Sequence, residues 1–319
     1  MSDTTTPQPD WSRVTAIVVT HHGAAVIGDC LKSFVDVPNI IVVDNASDDD
    51  TLDIVRAMTP HARIVENAIG VGYGNAANQA LELVETEFAI TVNPDSIVLG
   101  DAVAALLKVA DEFPDASIVC PQNINLDGSL ELTHDAAMAV RSDFLPPYHR
   151  RDQEPAPQGN VCADFISGAV NLIRMSVIHK IGGFDKNILL YFEDDDLCVR
   201  MRAAGYSLIL TPYAEIMHIN AGSVRPSLHY KWEKFWNYGW ARLYIEKKRY
   251  GMLAMLKIAG HHFFKFLIKT LVDVLTFRFD KALRDAAKFS GTVSFLIGIR
   301  AIKPKWKALN ERVRRSTTD

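Results

Sequence analysis

The feature that most constrains this chain is an alternation of short β-branched runs with helix-spaced segments over its first 121 residues. "VTAIVVT" (14–20), "NIIVVD" (39–44), "ARIVE" (62–66), "FAITVNPD" (88–95) and "SIVCP" (117–121) read as strands. Between them, "GAAVIGDCLKSF" (23–34), "DDDTLDIVRAM" (48–58), "NAANQALELVE" (75–85) and "GDAVAALLKVADEF" (100–113) repeat apolar residues at helical spacing. Such runs, joined by short connections, predict an α/β domain with a mostly parallel sheet covered on both faces. Ligands of such sheets bind beyond the carboxyl ends of the strands. Those ends carry Thr20-His21-His22, Asp44-Asn45 and Asn93-Pro94-Asp95.

From about 122 to 163 the pattern weakens, and "LPPYHRRDQEPAPQGN" (145–160) reads as a loop. "ISGAVNLIR" (166–174) is apolar again, and "SLILTPYAEIMHI" (207–219) reads as strand, turn and strand. Four carboxylates stand in a row in "YFEDDDLCVRMRAAGY", from Glu193 to Asp196, at the head of a helix-like stretch. Acids are favoured in a first helical turn, where free N–H groups attract negative charge. Four exceed what a cap uses. Charges this close raise one another's pKa, or call for a cation or a proton-transfer role.

Several small motifs narrow the chemistry. "IGVGYGNAAN" (69–78) resembles a dinucleotide loop but has Asn75 where the third glycine belongs and follows the third strand rather than the first, which argues against a nicotinamide enzyme. Its glycines suit either a tight helix entry or backbone contact with a ligand. Asp95, ending an apolar strand, suits a hard cation bound with diphosphate oxygens, although Asn-Pro-Asp is also a common turn. His218 becomes a ligand candidate if Asp95 converges on it. His21 and His22 are expected on opposite faces of a strand and make a poor metal clamp. No GxSxG, Walker or HExxH motif is present.

Charge divides the chain. Residues 225–319 carry 21 Lys+Arg against 7 Asp+Glu, whereas the remainder carries 13 against 31. An acidic body suits a cation and a basic tail an anionic surface. "HHFFKFLIKTLVDVLTFRF" (261–279) predicts an amphipathic helix with Lys265, Lys269 and Asp273 on one stripe. Burial against the catalytic domain or a second subunit competes with an in-plane seat on an anionic membrane, and the basic excess favours the membrane. No nucleic-acid motif occurs, so no nucleic-acid partner is expected. Cys30, Cys120, Cys162 and Cys198 form no CxxC pair, which fits a reducing compartment. The polar N-terminus lacks a signal-peptide pattern, and no uncharged apolar run reaches the length of a span. These features predict a cytoplasmic protein, peripheral on the inner face of the cell membrane.

Taken in order, "AIVVTHHG", "IIVVDNASDDDT", "GYGNAANQAL", "ITVNPDSIV", "ISGAVNLIR", "GGFDKNILLYFEDDDLCVRMRAAGY" and "IMHINAGS" resemble the inverting glycosyltransferases of family 2, in their bacterial rhamnosyltransferase-like branch. The resemblance implies a GT-A, Rossmann-like nucleotide-sugar-binding domain over 13–225, after a disordered tail (1–12) and before a basic helical extension (226–319). It implies that Asp44 accepts from N3–H of a uracil or thymine, with Thr20 and Asn45 lining that pocket and Asn78 shaping the nucleotide-sugar site. Asn93 and Asp95 stand at the family's DxD position, Asn93 in place of its first acid. Asp95 and His218 would hold Mg²⁺ or Mn²⁺, and Gly168 counts among the substrate-binding residues. Asp194 would be the general base, with Glu193 orienting the acceptor or the base, Asp196 capping the helix, and the extra Asp195 exposed. The donor implied is a dTDP- or UDP-linked sugar, dTDP-rhamnose first, and the acceptor a cell-surface glycan or polyprenyl-linked saccharide. A homo-oligomer is left open. The alternatives are a nucleotide-sugar nucleotidyltransferase, against which the absence of Lys and Arg from "VVTHHG" argues, and a non-catalytic scaffold, against which the intact acids argue.

Overall fold

The computed structural model describes residues 9–131, 157–166, 168–219 and 227–302. Residues 1–8 of the expected tail, 145–156 of the proline-rich loop, the "NAGS" end of "IMHINAGS" and the basic segment 303–319 lie outside the described residues.

Nine strands form one sheet: β1 (Val14–Thr20), β2 (Ile40–Asp44), β3 (Arg63–Glu66), β4 (Phe88–Val92), β5 (Ser96–Val98), β6 (Ala116–Ile124), β7 (Val161–Cys162), β8 (Val170–Arg174) and β9 (Ser207–His218). Their order is β3-β2-β1-β4-β8-β6-β9-β5, with β7 also paired to β9. The strands β3, β2, β1 and β4 are parallel, as the alternation predicts. Beyond them the sheet is mixed, because β8 runs antiparallel to both β4 and β6, and β5 and β7 run antiparallel to β9.

The uninterrupted apolar strands reflect burial on both faces. Side chains of β1 alternate between two cores: Val14, Ala16 and Val18 join one with residues of α1 (Ile27–Lys32) and α4 (Ala102–Glu112). Ile17 and Val19 join the other with α3 (Tyr73–Leu81), α5 (Met175–Ile181) and α6 (Glu193–Ala203). The helix α2 (Thr51–Met58) lies on the first face through Val55.

Three local expectations change. Residues 207–218 form one strand rather than two: its partner β6 steps from Pro121↔Thr211 to Gln122↔Glu215, so Pro212, Tyr213 and Ala214 form a bulge where the turn signal stood. Asp195 is buried rather than exposed, because α6 turns it into the body. His21 and His22 do not point apart: β1 ends at Thr20, His22 takes φ 53°, and the two rings lie 4.0 Å apart.

The C-terminal region is helical. In α7 (Leu228–Leu275) Gly251 takes φ 82° and ψ −175°, a left-handed-side conformation that suits glycine, and the chain turns there. Met255 and Ala259 of the second arm then pack against Leu243 of the first. The helix α8 (Phe279–Leu296) closes the group, with Phe289 against Phe263 at 4.9 Å. Trp240, Ala241 and Ile245 of the first arm pack on Ile188 and Phe192, which lead into α6. Asp273, expected on an exposed polar stripe, is instead 8% exposed; it lies on the face of the second arm turned inward, near Arg284 of α8. Among the described residues no helix is long and apolar enough to cross a membrane.

Candidate active site

Three groups of polar side chains gather around the carboxyl edge of the sheet. The first closes β1 and β2. Thr20 and Asp44 are register partners, and the Asn45 N–H donates to the Thr20 carbonyl at 2.8 Å. Asn45 Oδ1 accepts from the Val71 N–H at 2.8 Å, which ties the glycine loop before α3 to this corner. Asp44 is 2% exposed; its Oδ2 accepts from the Ser47 N–H at 3.0 Å. Among the described residues Asp44 Oδ1 and the Thr20 hydroxyl have no partner. A buried carboxylate oxygen left unpaired is costly. It is free to accept from a donor brought in by a ligand. Beside it, burial pushes the His21 imidazole pKa down.

The second group forms where β4 meets β5 and β9. Ser96 and His218 are register partners, which brings Asp95 Oδ1 to 3.4 Å from His218 Nε2. His218 Nδ1 lies 2.8 Å from Glu131 Oε2, which also accepts from Asn123 Nδ2 at 3.1 Å. Burial alone would lower the His218 pKa, but the hydrogen bonds to Asp95 and Glu131 outweigh it and hold the imidazolium up to about 9. Asp95 and His218 therefore converge, the condition set for reading them as a ligand pair. Among the described residues no three His, Cys, Asp or Glu side chains are placed so as to hold a metal ion together, so the remaining ligands of an ion here would come from substrate or water.

The third group is the acidic run. Phe192 caps α6 in a left-handed conformation, φ 67°, and directs Glu193 inward. Glu193 is 8% exposed, and its Oε2 has no partner among the described residues. Asp194 accepts a hydrogen bond from the Gly168 N–H, and a Cβ on Gly168 would stand 2.6 Å from Asp194 Oδ2, so any larger residue there would displace the carboxylate. Burial, then the neighbouring carboxylates, raise the pKa of both Glu193 and Asp194. The next acid behaves otherwise. Asp196, fully buried, accepts from Arg200 Nε at 2.7 Å, Lys248 Nζ at 2.7 Å and Arg249 NH2 at 3.3 Å. Lys248 also reaches Asp185 at 2.6 Å, so one cation of α7 pins both ends of the segment that carries Phe192 and Glu193.

A short path joins the second and third groups. The Asn93 N–H donates to the Ala169 carbonyl at 2.8 Å, and the neighbouring Gly168 supports Asp194. Asn78 is held away from solvent: its amide exchanges two hydrogen bonds with the Phe184 backbone, at 2.8 and 2.9 Å, and fixes the turn that leads to α6. Sequence reading had missed Glu131 and the Lys248–Arg249 pair. Nothing local marks them, because their partners lie 87 and 52 residues away.

The domain is thus α/β, with a mixed sheet and acids gathered at its carboxyl edge. Residues 15–182 match the model of Glycosyl transferase family 2, and the chain belongs to that family. It is 28% identical over 210 residues to an N-acetylglucosaminyl-diphospho-decaprenol L-rhamnosyltransferase of Mycobacterium tuberculosis, covering 58% of this chain and 67% of that protein. It is 26% identical over 226 residues to the rhamnosyltransferase WbbL of Escherichia coli K12, covering 63% and 82%. Among solved structures, a mannosyltransferase of Pyrobaculum calidifontis in complex with GDP-Man and Mn²⁺ shares the fold with a TM-score of 0.51 at 15% identity, over 91% of this chain and 88% of that one. GalNAc-T7 with UDP, GalNAc and Mn²⁺ does so with a TM-score of 0.54 at 12% identity, over 68% of this chain and 45% of that one.

Proposed function

We propose that the chain transfers a rhamnosyl group, with inversion, from dTDP-rhamnose to a polyprenyl-linked saccharide at the inner face of a membrane. The observation that carries this reading is the gathering of buried Asp44 with its unpartnered Oδ1, a converged Asp95–His218 pair and a Glu193–Asp194 pair of raised pKa around one edge of the sheet. Asp44 Oδ1 accepts from the base N3–H. Asp95 and His218 fit a Mg²⁺ or Mn²⁺ ion through one carboxylate oxygen and one imidazole nitrogen, both already directed at the same point. When bound, that ion neutralises charge on the departing diphosphate. Asp194 takes the proton of the acceptor hydroxyl as its oxygen bonds to the anomeric carbon, and the bond to the diphosphate breaks on the opposite face with its electron pair. Its raised pKa matches a base that works near neutral pH. Names of the relatives support the rhamnosyl donor and the lipid-linked acceptor.

The test is a panel of nucleotide sugars with Mn²⁺ or EDTA. Thermal stabilisation and nucleoside diphosphate release are expected with dTDP-rhamnose and Mn²⁺, and loss of both with EDTA. A chain stabilised best by a purine nucleotide sugar would overturn the donor.

A further inference from the structure

The two arms of α7 leave different surfaces. In the second arm Met255, Ala259, Phe266 and Asp273 are buried against the first arm and α8. At 100° per residue, Leu253, Leu256, Phe264, Ile268, Leu271 and Leu275 fall within an arc of about 120° on the opposite side. Each of them is 49–84% exposed. The stripe runs for roughly 33 Å, at 1.5 Å per residue. It continues past the helix end, where Phe277 and Phe279 are 79% and 64% exposed. Exposed apolar area this continuous marks an interaction surface.

Charge identifies what covers it. Lys257 sits within the stripe, and Lys265 and Lys269 lie about 60° and 100° beyond one edge of it, all exposed. Residues 252–279 contain one acid, Asp273, and it is buried. Among the described residues none of the three lysines reaches a carboxylate. A protein interface disfavours lysine at its centre. An anionic bilayer instead accepts the aliphatic stem of a lysine along its boundary and pairs the ammonium with lipid phosphate.

We infer that residues 252–279 lie in the plane of an anionic lipid bilayer, with the Leu253–Phe264–Ile268–Leu275 face toward the acyl chains and Lys257, Lys265 and Lys269 at the headgroups. The face differs from the one the sequence suggests, since Asp273 turns inward and Phe263 packs on Phe289. The inference rests on the lipid-linked acceptor for its purpose, and its test keeps the two apart.

The full chain is co-sedimented with phosphatidylcholine vesicles with and without phosphatidylglycerol, and its size is followed by light scattering. Binding is expected with the anionic vesicles and is expected to weaken with salt. Replacing Lys257, Lys265 and Lys269 by Glu lowers affinity at least about 100-fold, at roughly fivefold for each basic charge lost. Replacing Leu253, Phe264 and Ile268 by Ser removes binding with Tm unchanged, whereas Phe263→Ser lowers Tm. Wild-type chain that ignores anionic vesicles would overturn the inference. So would serine variants that bind normally or that unfold like Phe263→Ser, or a stable dimer that those serines dissociate. Stabilisation by dTDP, read in the same samples without lipid, reports on the reaction separately. A chain that binds dTDP and no vesicles loses the surface and keeps the chemistry.

Discussion

The acids of α6 divide into two kinds within four residues. Asp196 is fully buried and surrounded by Arg200, Lys248 and Arg249. Glu193 and Asp194 are held against Gly168 and the apolar body with no cation on them among the described residues, and their pKa values rise. Density of charge along the chain is the same at both. What separates a structural acid from a reactive one is compensation. A carboxylate that faces three cations pins elements together, and one buried without a cation has its pKa raised toward neutral pH. The corner of Asp95, His218 and Glu131 stands between these limits, since its one cation is an imidazolium shared by two carboxylates.

The comparison breaks most sharply at Asp194. Asp194→Asn keeps shape and hydrogen bonding to Gly168 but removes the proton acceptor. A fall in kcat of at least about 10²-fold is expected, with nucleotide affinity little changed. Asp196→Asn, by contrast, acts on stability first, because it leaves Lys248 and Arg249 without their shared carboxylate. Steady-state kinetics beside thermal melts separates the two. Equal kinetic losses at both positions, each matched by a loss in Tm, would remove the distinction.

The second test concerns Glu131. Its carboxylate holds His218 Nδ1 at 2.8 Å and so leaves Nε2 directed at Asp95. Partners of this kind, behind a metal-binding histidine, are worth about 10–100-fold in metal affinity. Glu131→Ala is expected to weaken Mn²⁺ binding by that factor, measured by the free Mn²⁺ signal in electron paramagnetic resonance. Unchanged Mn²⁺ affinity would show that Glu131 does not position His218 for an ion.

Much of this was legible before the structure. The parallel half of the sheet follows from the first four of five apolar runs at regular spacing, and Asp44, Asp95 and the acidic run fall at strand or helix ends where local pattern alone places them. The rest depends on contacts that sequence separation hides. Tyr213 sits beside Pro212, a turn signal that becomes a bulge because β6 continues alongside. Gly251 looks like one tolerated glycine in a helix, yet its φ of 82° reverses the chain and decides which side of "HHFFKFLIKTLVDVL" faces inward. That reversal is why Asp273 is buried while Lys265 and Lys269 are not. Likewise, Asp196 resembles a helix cap until Lys248 arrives from 52 residues away.

The smallest effect concerns Glu193, and it runs opposite to function. Glu193 is 8% exposed, and burial raises its folded pKa above the ordinary value of about 4.3. A carboxyl with a raised folded pKa binds protons more tightly in the folded state, so stability is fully present below the unfolded pKa. It is lost as pH climbs from that value through the raised folded one, because an unpaired charge is then forced into the body. Glu193→Gln removes this penalty while keeping the side chain's size. Near pH 4 the variant and the wild type should melt together, since both are neutral at this position. At pH 9 the variant should melt higher by about 2–4 °C, the response to about 1 kcal/mol in a domain of this size. Calorimetry across pH makes the comparison. A variant that melts lower than wild type at pH 9 would mean that the Glu193 carboxylate is stabilised by a partner in the folded protein, and the contrast with Asp196 would then be one of degree.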